Sequence, residues 1–376
     1  MTPARFAVVF AICVAAVGAS AFAQDGAAIP AEPPRFAFKP VVERAIDAVI
    51  LPGYHALAER ASEETTLVSN LCWQADVERL EAARVGFREL VLAWSRVELI
   101  RFGPARDQNR YERLFCWPDP RGRGLQQIQE IIATEDPTAT SVETLREKSV
   151  AVQGLFALEF VLYGTRSETL VDAANPARSF RCRFGAAIAG AIEKTAQEIL
   201  ADWTRPGGYA ALMRDAGPDN PVYRSHGEGV QELIKSAREQ LQLSRDLKLA
   251  QAIEATPEKA QPKRAPFWRS DLTIPSIRAN IEAVLALAGP DGIGAALPKD
   301  EPWIAGELAF ELREVDETLA RVEARGERWE SLVKDAESHV DLTYTLIPLA
   351  AAIALLEGSY PEAFGLITGF NSLDGD

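Results

Sequence analysis

Histidine is scarce in this chain of 376 residues: His55, His226 and His339 are all there are. None is arranged as HExxH or clustered with cysteine, so a zinc peptidase of ordinary type lacks its ligands. A GxSxG elbow, a GxxxxGK[ST] phosphate loop and a GxGxxG fingerprint are also missing, which removes the commonest hydrolase and nucleotide-dependent readings. No run alternates apolar and polar residues between hairpin turns, so no sheet is expected. Beyond the N-terminus no segment approaches the roughly 18 consecutive apolar residues of a membrane span. The stretch LIPLAAAIALL (346–356) is only eleven long. Basic residues are in deficit, with 40 Lys+Arg against 54 Asp+Glu and a formal charge of −14. Such a surface disfavours nucleic acid and anionic membranes as partners.

Cysteine is sparse too. The chain opens MTPARFAVVFAICVAAVGASAFAQ, with one cation at Arg5, an apolar run from Phe6 to Val17 and small residues at Ala21 and Ala23. That is the build of a cleavable secretory signal over 1–23. Cys13 follows Ile12, where a lipoprotein signal wants a small residue, so the reading is a periplasmic or envelope protein without a lipid anchor. The mature chain keeps Cys72, Cys116 and Cys182. An odd number in an oxidising compartment predicts one disulfide and one leftover thiol, with the pairing open.

What is present reads as helix. In 76–101, Leu80, Ala83, Phe87, Leu90, Trp94 and Val97 step by 3, 4, 3, 4, 3, the spacing of a bundle seam. Helices are expected over 40–70, 76–101, 141–163 and 179–204, then over 222–254, 276–288, 301–324 and 328–357. WTRPGGYAALMRDAGPDNP separates the two sets. The expectation is an all-α protein of two consecutive four-helix bundles, at 40–210 and 211–376, behind an N-terminal extension over 24–39. Pro348 should kink or interrupt the last helix. The connection ATPEKAQPKRAPFWRSD (255–271) reads as an exposed, flexible loop. Segment 101–127 has no clean period, and it holds six arginines, no lysine and four aromatics. Loops of that length with aromatics point to function rather than disorder.

The stretch GLFALEFVLYG (154–164) places Glu159 in an apolar helix. Continuing the stripe Leu145, Ser149, Val152, Phe156 lands on Glu159, so the carboxylate faces inward. An unpaired charge there costs several kcal/mol, so it needs a partner, a proton or a task. The functional reading is a metal ligand, an acid/base group or a ligand anchor; the competing one is an ion pair that orders the helices. Arg101, continuing the seam from Val97, is the expected partner, with Glu98 beside it. A simpler role for Arg101 is to cap its own helix's last carbonyls. His55 and Glu59, four apart on the first helix, are a weak metal pair. At the C-terminus, GLITGFNSLDGD carries Asn371, Asp374 and Asp376, whose oxygens suit either a cation or turn closure.

Together, WSRVELIRFGPARDQNR (94–110), FCWPDPRG (115–122), VQGLFALEFVLYG (152–164), RCRFGAAIAGAI (181–192) and GFNSLDGD (369–376) resemble the imelysin-like family of bacterial envelope proteins. The resemblance implies two helical bundles, a site at their junction and a link to iron acquisition. The family's GxHxxE signature falls on Gly154, Phe156 and Glu159, with phenylalanine where the histidine belongs. A His and Glu three apart share one helical face and can hold a metal; Phe156 removes that ligand and with it the basis for peptidase activity. The resemblance also implies the disulfide Cys72–Cys182, leaving Cys116 free.

These readings combine into a non-enzymatic exported binding protein, with Glu159 held by Arg101 and walled by Glu98, Trp117, Asp119, Gly154, Phe156, Asn371 and Asp374. Its partner is a small ligand, a metal chelate, an anionic polymer or an envelope protein, and any cofactor is iron or another divalent metal held through Glu159. Two alternatives remain: a divergent metallopeptidase using Glu159 with His55 or His339, and a structural scaffold for partners.

Overall fold

The computed structural model describes residues 37–366, apart from 173 and 175, and every regular element among them is helical. In chain order these are α1 (Phe38–Ala45), α2 (Leu51–Trp73), α3 (Val77–Val97), α4 (Arg110–Leu114), α5 (Arg123–Thr134), α6 (Val142–Arg146), α7 (Gly154–Tyr163), α8 (Pro176–Thr204) and α9 (Tyr209–Arg214). There follow α10 (His226–Gln242), α11 (Gln251–Ile253), α12 (Thr273–Ala288), α13 (Trp303–Glu323), α14 (Trp329–Leu332), α15 (Ala336–Tyr344), α16 (Leu346–Ala354) and α17 (Tyr360–Ala363). The leader over 1–23, almost all of the extension, and the terminal Asn371 and Asp374 lie outside the described residues.

Local chemistry sets the helix starts. The Asp76 carboxylate accepts the Arg79 N–H at 2.8 Å ahead of α3, and Asp335 accepts that of Ser338 at 2.8 Å ahead of α15. Ser225 does the same for Glu228 at the start of α10. Each cap satisfies an amide that the helix cannot. The six seam residues of α3 are all buried, as their spacing requires. The helix expected over 141–163 is instead three pieces: α6, a single tight turn over Val150–Val152, and α7. Ser149 breaks it by capping that turn through the Ala151 N–H. The last helical stretch parts at Thr345, where Pro348 offers no N–H to the carbonyl of Tyr344.

α2 packs along α8 and α3, α7 lies on α8, and α3 lies along α12. α12 meets α10 and α13, which in turn meet α16. One apolar cluster runs from Val41 to Phe364. Ala336–Ala363 is apolar and long enough to cross a membrane by composition alone. In this fold Leu342, Leu349, Ala352, Ile353 and Leu356 bury one side of it, while Val340, Tyr344 and Ile347 stay exposed.

The disulfide implied by the family resemblance is present: Cys72 and Cys182 are bonded with a Cα separation of 5.5 Å, tying the end of α2 to α8. Cys116 is a free, half-buried thiol, its pKa raised by burial and then by Asp119 and Glu112.

Candidate functional site

Glu159 sits on α7, 1% exposed. α7 is brought in by Gly154, whose φ is +73° and whose missing Cβ would lie 2.4 Å from the Leu114 carbonyl and 2.5 Å from that of Arg113. Only glycine allows that approach, so the first residue of the GxFxxE stretch seats the helix on the end of α4.

The partner of Glu159 is not Arg101. Its Oε1 accepts the backbone N–H groups of Arg269 and Ser270, each at 3.1 Å, and the Ser270 hydroxyl at 2.8 Å. Its Oε2 lies 3.9 Å from the Arg269 guanidinium and has no hydrogen-bond partner. Burial raises the Glu159 pKa, while Arg269 and the Ser270 bonds pull the other way. Hydrogen bonds to the charged form, with an adjacent cation, are what a buried carboxylate needs to remain ionised.

Segment 255–271, expected to be exposed and flexible, is therefore part of the site. Ala265 and Phe267 are buried, and the Phe267 ring stacks on Phe115 at 4.8 Å. The loop is pinned from the far side, where Trp329 donates its indole N–H to the Pro262 carbonyl at 2.9 Å. Apolar anchors within a polar, proline-broken stretch hold it down.

Arg269 lies 4.3 Å from the Trp268 ring centroid, 5.6 Å from Phe160 and 5.9 Å from Phe156. Phe156, at the place of the motif histidine, thus offers a ring face to a cation. Trp117, Asp119, Phe156, Lys263, Trp268 and Arg269 line a cavity of about 590 Å³. Lys263 covers the Trp268 ring at 5.1 Å. Asp119 accepts the Leu125 N–H at 3.1 Å, so part of its capacity goes into the start of α5. Trp117, Asp119 and Phe156 line this one cavity, and Glu159 reaches its wall through Arg269.

Glu98 and Arg101 form a separate cluster. Glu98 is 1% exposed, and its Oε2 is 2.5 Å from Lys248 Nζ and 2.9 Å from Asn280 Nδ2. Arg101 Nε donates to the Glu98 carbonyl at 3.3 Å, the capping role, and its Nη2 stands 3.9 Å from the Glu98 carboxylate. The single cluster expected of Glu98, Arg101 and Glu159 is thus two, because Lys248 already answers Glu98 and the 267–270 turn answers Glu159.

The donors around Glu159 do not suit a resident metal ion. The groups that reach its carboxylate are amide N–H groups, a hydroxyl and a guanidinium. Among the described residues no group of three or more His, Cys, Asp or Glu side chains is placed to hold a metal. His55 is exposed on α2, and His339 meets the Ile253 carbonyl at 3.0 Å.

An all-helical protein with a buried carboxylate beside an aromatic, arginine-bearing cavity is the class this arrangement defines. Residues 50–356 match the family model described as Imelysin, Peptidase M75, and the chain belongs to that family. It is 21% identical over 274 residues to the "Iron-regulated protein A" of Synechococcus elongatus, covering 70% of each chain. Its fold is similar to that of an imelysin-like protein from Psychrobacter arcticum, with TM-score 0.71 and 19% identity over 89% of this chain and 97% of that one. A proposed iron-regulated protein A precursor from Parabacteroides distasonis gives TM-score 0.71 and 14% identity over 86% and 95%.

Proposed function

We propose that this imelysin-family chain is an exported, non-enzymatic binding protein of bacterial iron uptake or its regulation, whose cavity beside Glu159 takes a chelated, anionic form of the metal. One observation carries this: the cation next to Glu159 is the guanidinium of Arg269, with Phe156 beneath it where a histidine ligand would stand. Glu159 faces Arg269 and Asp119 is partly taken up by the Leu125 N–H, while the cavity offers Lys263, Arg264, Arg269 and the faces of Trp117 and Trp268 to a ligand. Flat anions with an apolar body match those groups. The iron-regulated names of the relatives support the iron link. The Cys72–Cys182 bond supports export to an oxidising compartment. Two bundles, divided near residue 210 with the cavity at their junction, complete the reading.

The test is tryptophan fluorescence and calorimetric titration with ferric citrate and a ferric catecholate, beside the iron-free chelators and Fe²⁺ or Ca²⁺ alone. Saturable binding of a ferric chelate, weakened about tenfold or more in Arg269→Gln, is expected. Absence of chelate binding overturns the reading. So does one metal ion bound per chain without chelator and lost in Glu159→Gln.

A further inference from the structure

A second cavity, of about 280 Å³, lies between the segment after α3 and one face of α10. The α10 side is built from Glu232, Lys235, Ser236 and Glu239, at positions i, i+3, i+4 and i+7 of one stripe. Ser236 and Glu239 are buried. An amphipathic helix normally turns such a stripe to water; here Glu232 is half-buried and Lys235 reaches solvent, but Ser236 and Glu239 are enclosed, which marks a place where apolar filling was not the purpose.

The opposite wall carries Arg101, Arg106 and Glu112. The Arg101 guanidinium rests 5.0 Å from the Tyr111 ring, and the one carboxylate it approaches, Glu98, is already bonded to Lys248 and Asn280. Arg101 therefore brings a positive charge that the buried cluster does not cancel. Beside it, Gln108 and Asn109 hold successive left-handed conformations with φ of +54° and +56°. Glu232 is fixed from behind by the Tyr223 hydroxyl, which pairs with that of Tyr209 at 2.9 Å.

The two walls carry opposite net charge. Arg101 and Arg106 outweigh Glu112 on the loop side; Glu232 and Glu239 outweigh Lys235, itself 3.7 Å from Glu239, on the α10 side. A lone anion is drawn to one wall and repelled by the other, and the same holds for a lone cation. A small dipolar ion satisfies both at once. We propose that this cavity is a binding site for a free α-amino acid or a similarly small zwitterion, with its carboxylate on Arg101 and Arg106 and its ammonium toward Glu232 and Glu239. The site is independent of the cavity beside Glu159.

The experiment is calorimetric titration of the purified chain with a panel of L-α-amino acids at millimolar concentration, with acetate and methylammonium as single-charge probes. At least one amino acid should bind about tenfold or more tightly than either probe. Arg106→Gln, at an exposed position, should weaken that binding about tenfold. Lys235→Gln should tighten it, because it removes a cation from the wall that receives the ammonium. No binding by any member of the panel, acetate binding as tightly as the amino acid, or parallel weakening in Arg106→Gln and Lys235→Gln would each overturn the proposal. Circular dichroism of both variants confirms that they fold.

Discussion

Lys248 Nζ lies 2.5 Å from Glu98 Oε2, with neither side chain more than 1% exposed, and Asn280 bonds to both. The pair joins α3 to the wide π-type turn Leu243–Ala250, 150 residues further along. Burial lowers the Lys248 pKa and Glu98 opposes that shift. Attraction between two such charges offsets their desolvation only while both are present. Lys248→Met strands Glu98, and a loss of about 3–5 kcal/mol in urea unfolding is expected. The double variant with Glu98→Gln should recover much of it. A cost below about 1 kcal/mol for the single variant would mean that water reaches the pair.

Glu64 faces the opposite situation. It is fully buried, neither carboxylate oxygen has a hydrogen-bond partner, and its head occupies the notch left by Gly86. Burial raises its pKa well above the usual carboxylate value of 4.5. The folded state therefore holds a proton that the unfolded chain has released, and this group's contribution to stability declines as pH rises above that value. Glu64→Gln keeps the shape and removes the titration. The variant should gain on the natural chain by about 1–3 kcal/mol at pH 8 and lose the advantage near pH 4. Chemical denaturation at several pH values measures this, and a pH-independent difference would contradict it.

The spacing that turns Glu159 inward also turns Glu64 and Lys248 inward. On α2, Tyr54, Leu57, Ala61, Glu64, Val68 and Leu71 step by 3, 4, 3, 4, 3, and all are buried. Ile234, Ala237, Leu241, Ser244 and Lys248 form another such stripe, as do Thr273, Ile277, Asn280, Val284 and Leu287. An inward stripe shows that a polar side chain is buried; it does not show which other stripe it meets. The stripes therefore leave Arg101 as the expected partner of Glu159, whereas the fold gives Glu159 to Arg269. Arg269 and Ser270 lie in an irregular turn with no period to read. The long helices were legible because their apolar spacing is regular, whereas α4 and α9 are too short to show one.

The Cys72–Cys182 bond closes a loop of 110 residues, which restricts the unfolded chain substantially. Replacing both cysteines by serine should lower stability by about 2–5 kcal/mol, read from urea midpoints under non-reducing conditions. Cys116→Ser should change it by less than about 1 kcal/mol, since that thiol bonds to nothing covalently. In folded chain prepared without residues 1–23, the Cys116 thiol should react with a disulfide reagent, and slowly, because burial and the two nearby carboxylates suppress its thiolate. Equal losses from the two replacements would place the stabilisation in side-chain packing rather than in the cross-link.

Gly154 and Gly122 separate backbone strain from steric conflict. Both hold positive φ, +73° and +63°, but an added Cβ at Gly122 meets nothing within 4 Å, whereas at Gly154 it meets the carbonyls that end α4. Gly122→Ala should cost only the left-handed penalty, about 1–2 kcal/mol. Gly154→Ala should cost clearly more, because backbone carbonyls cannot rotate away and α7 must lift from α4. Lifting α7 also moves Glu159 from the Arg269 and Ser270 amides, so the variant should lose the fluorescence response of Trp268 to ligand along with its stability. Equal costs at the two glycines would show that α4 yields without displacing α7, and that the seating of Glu159 depends on the 267–270 turn instead.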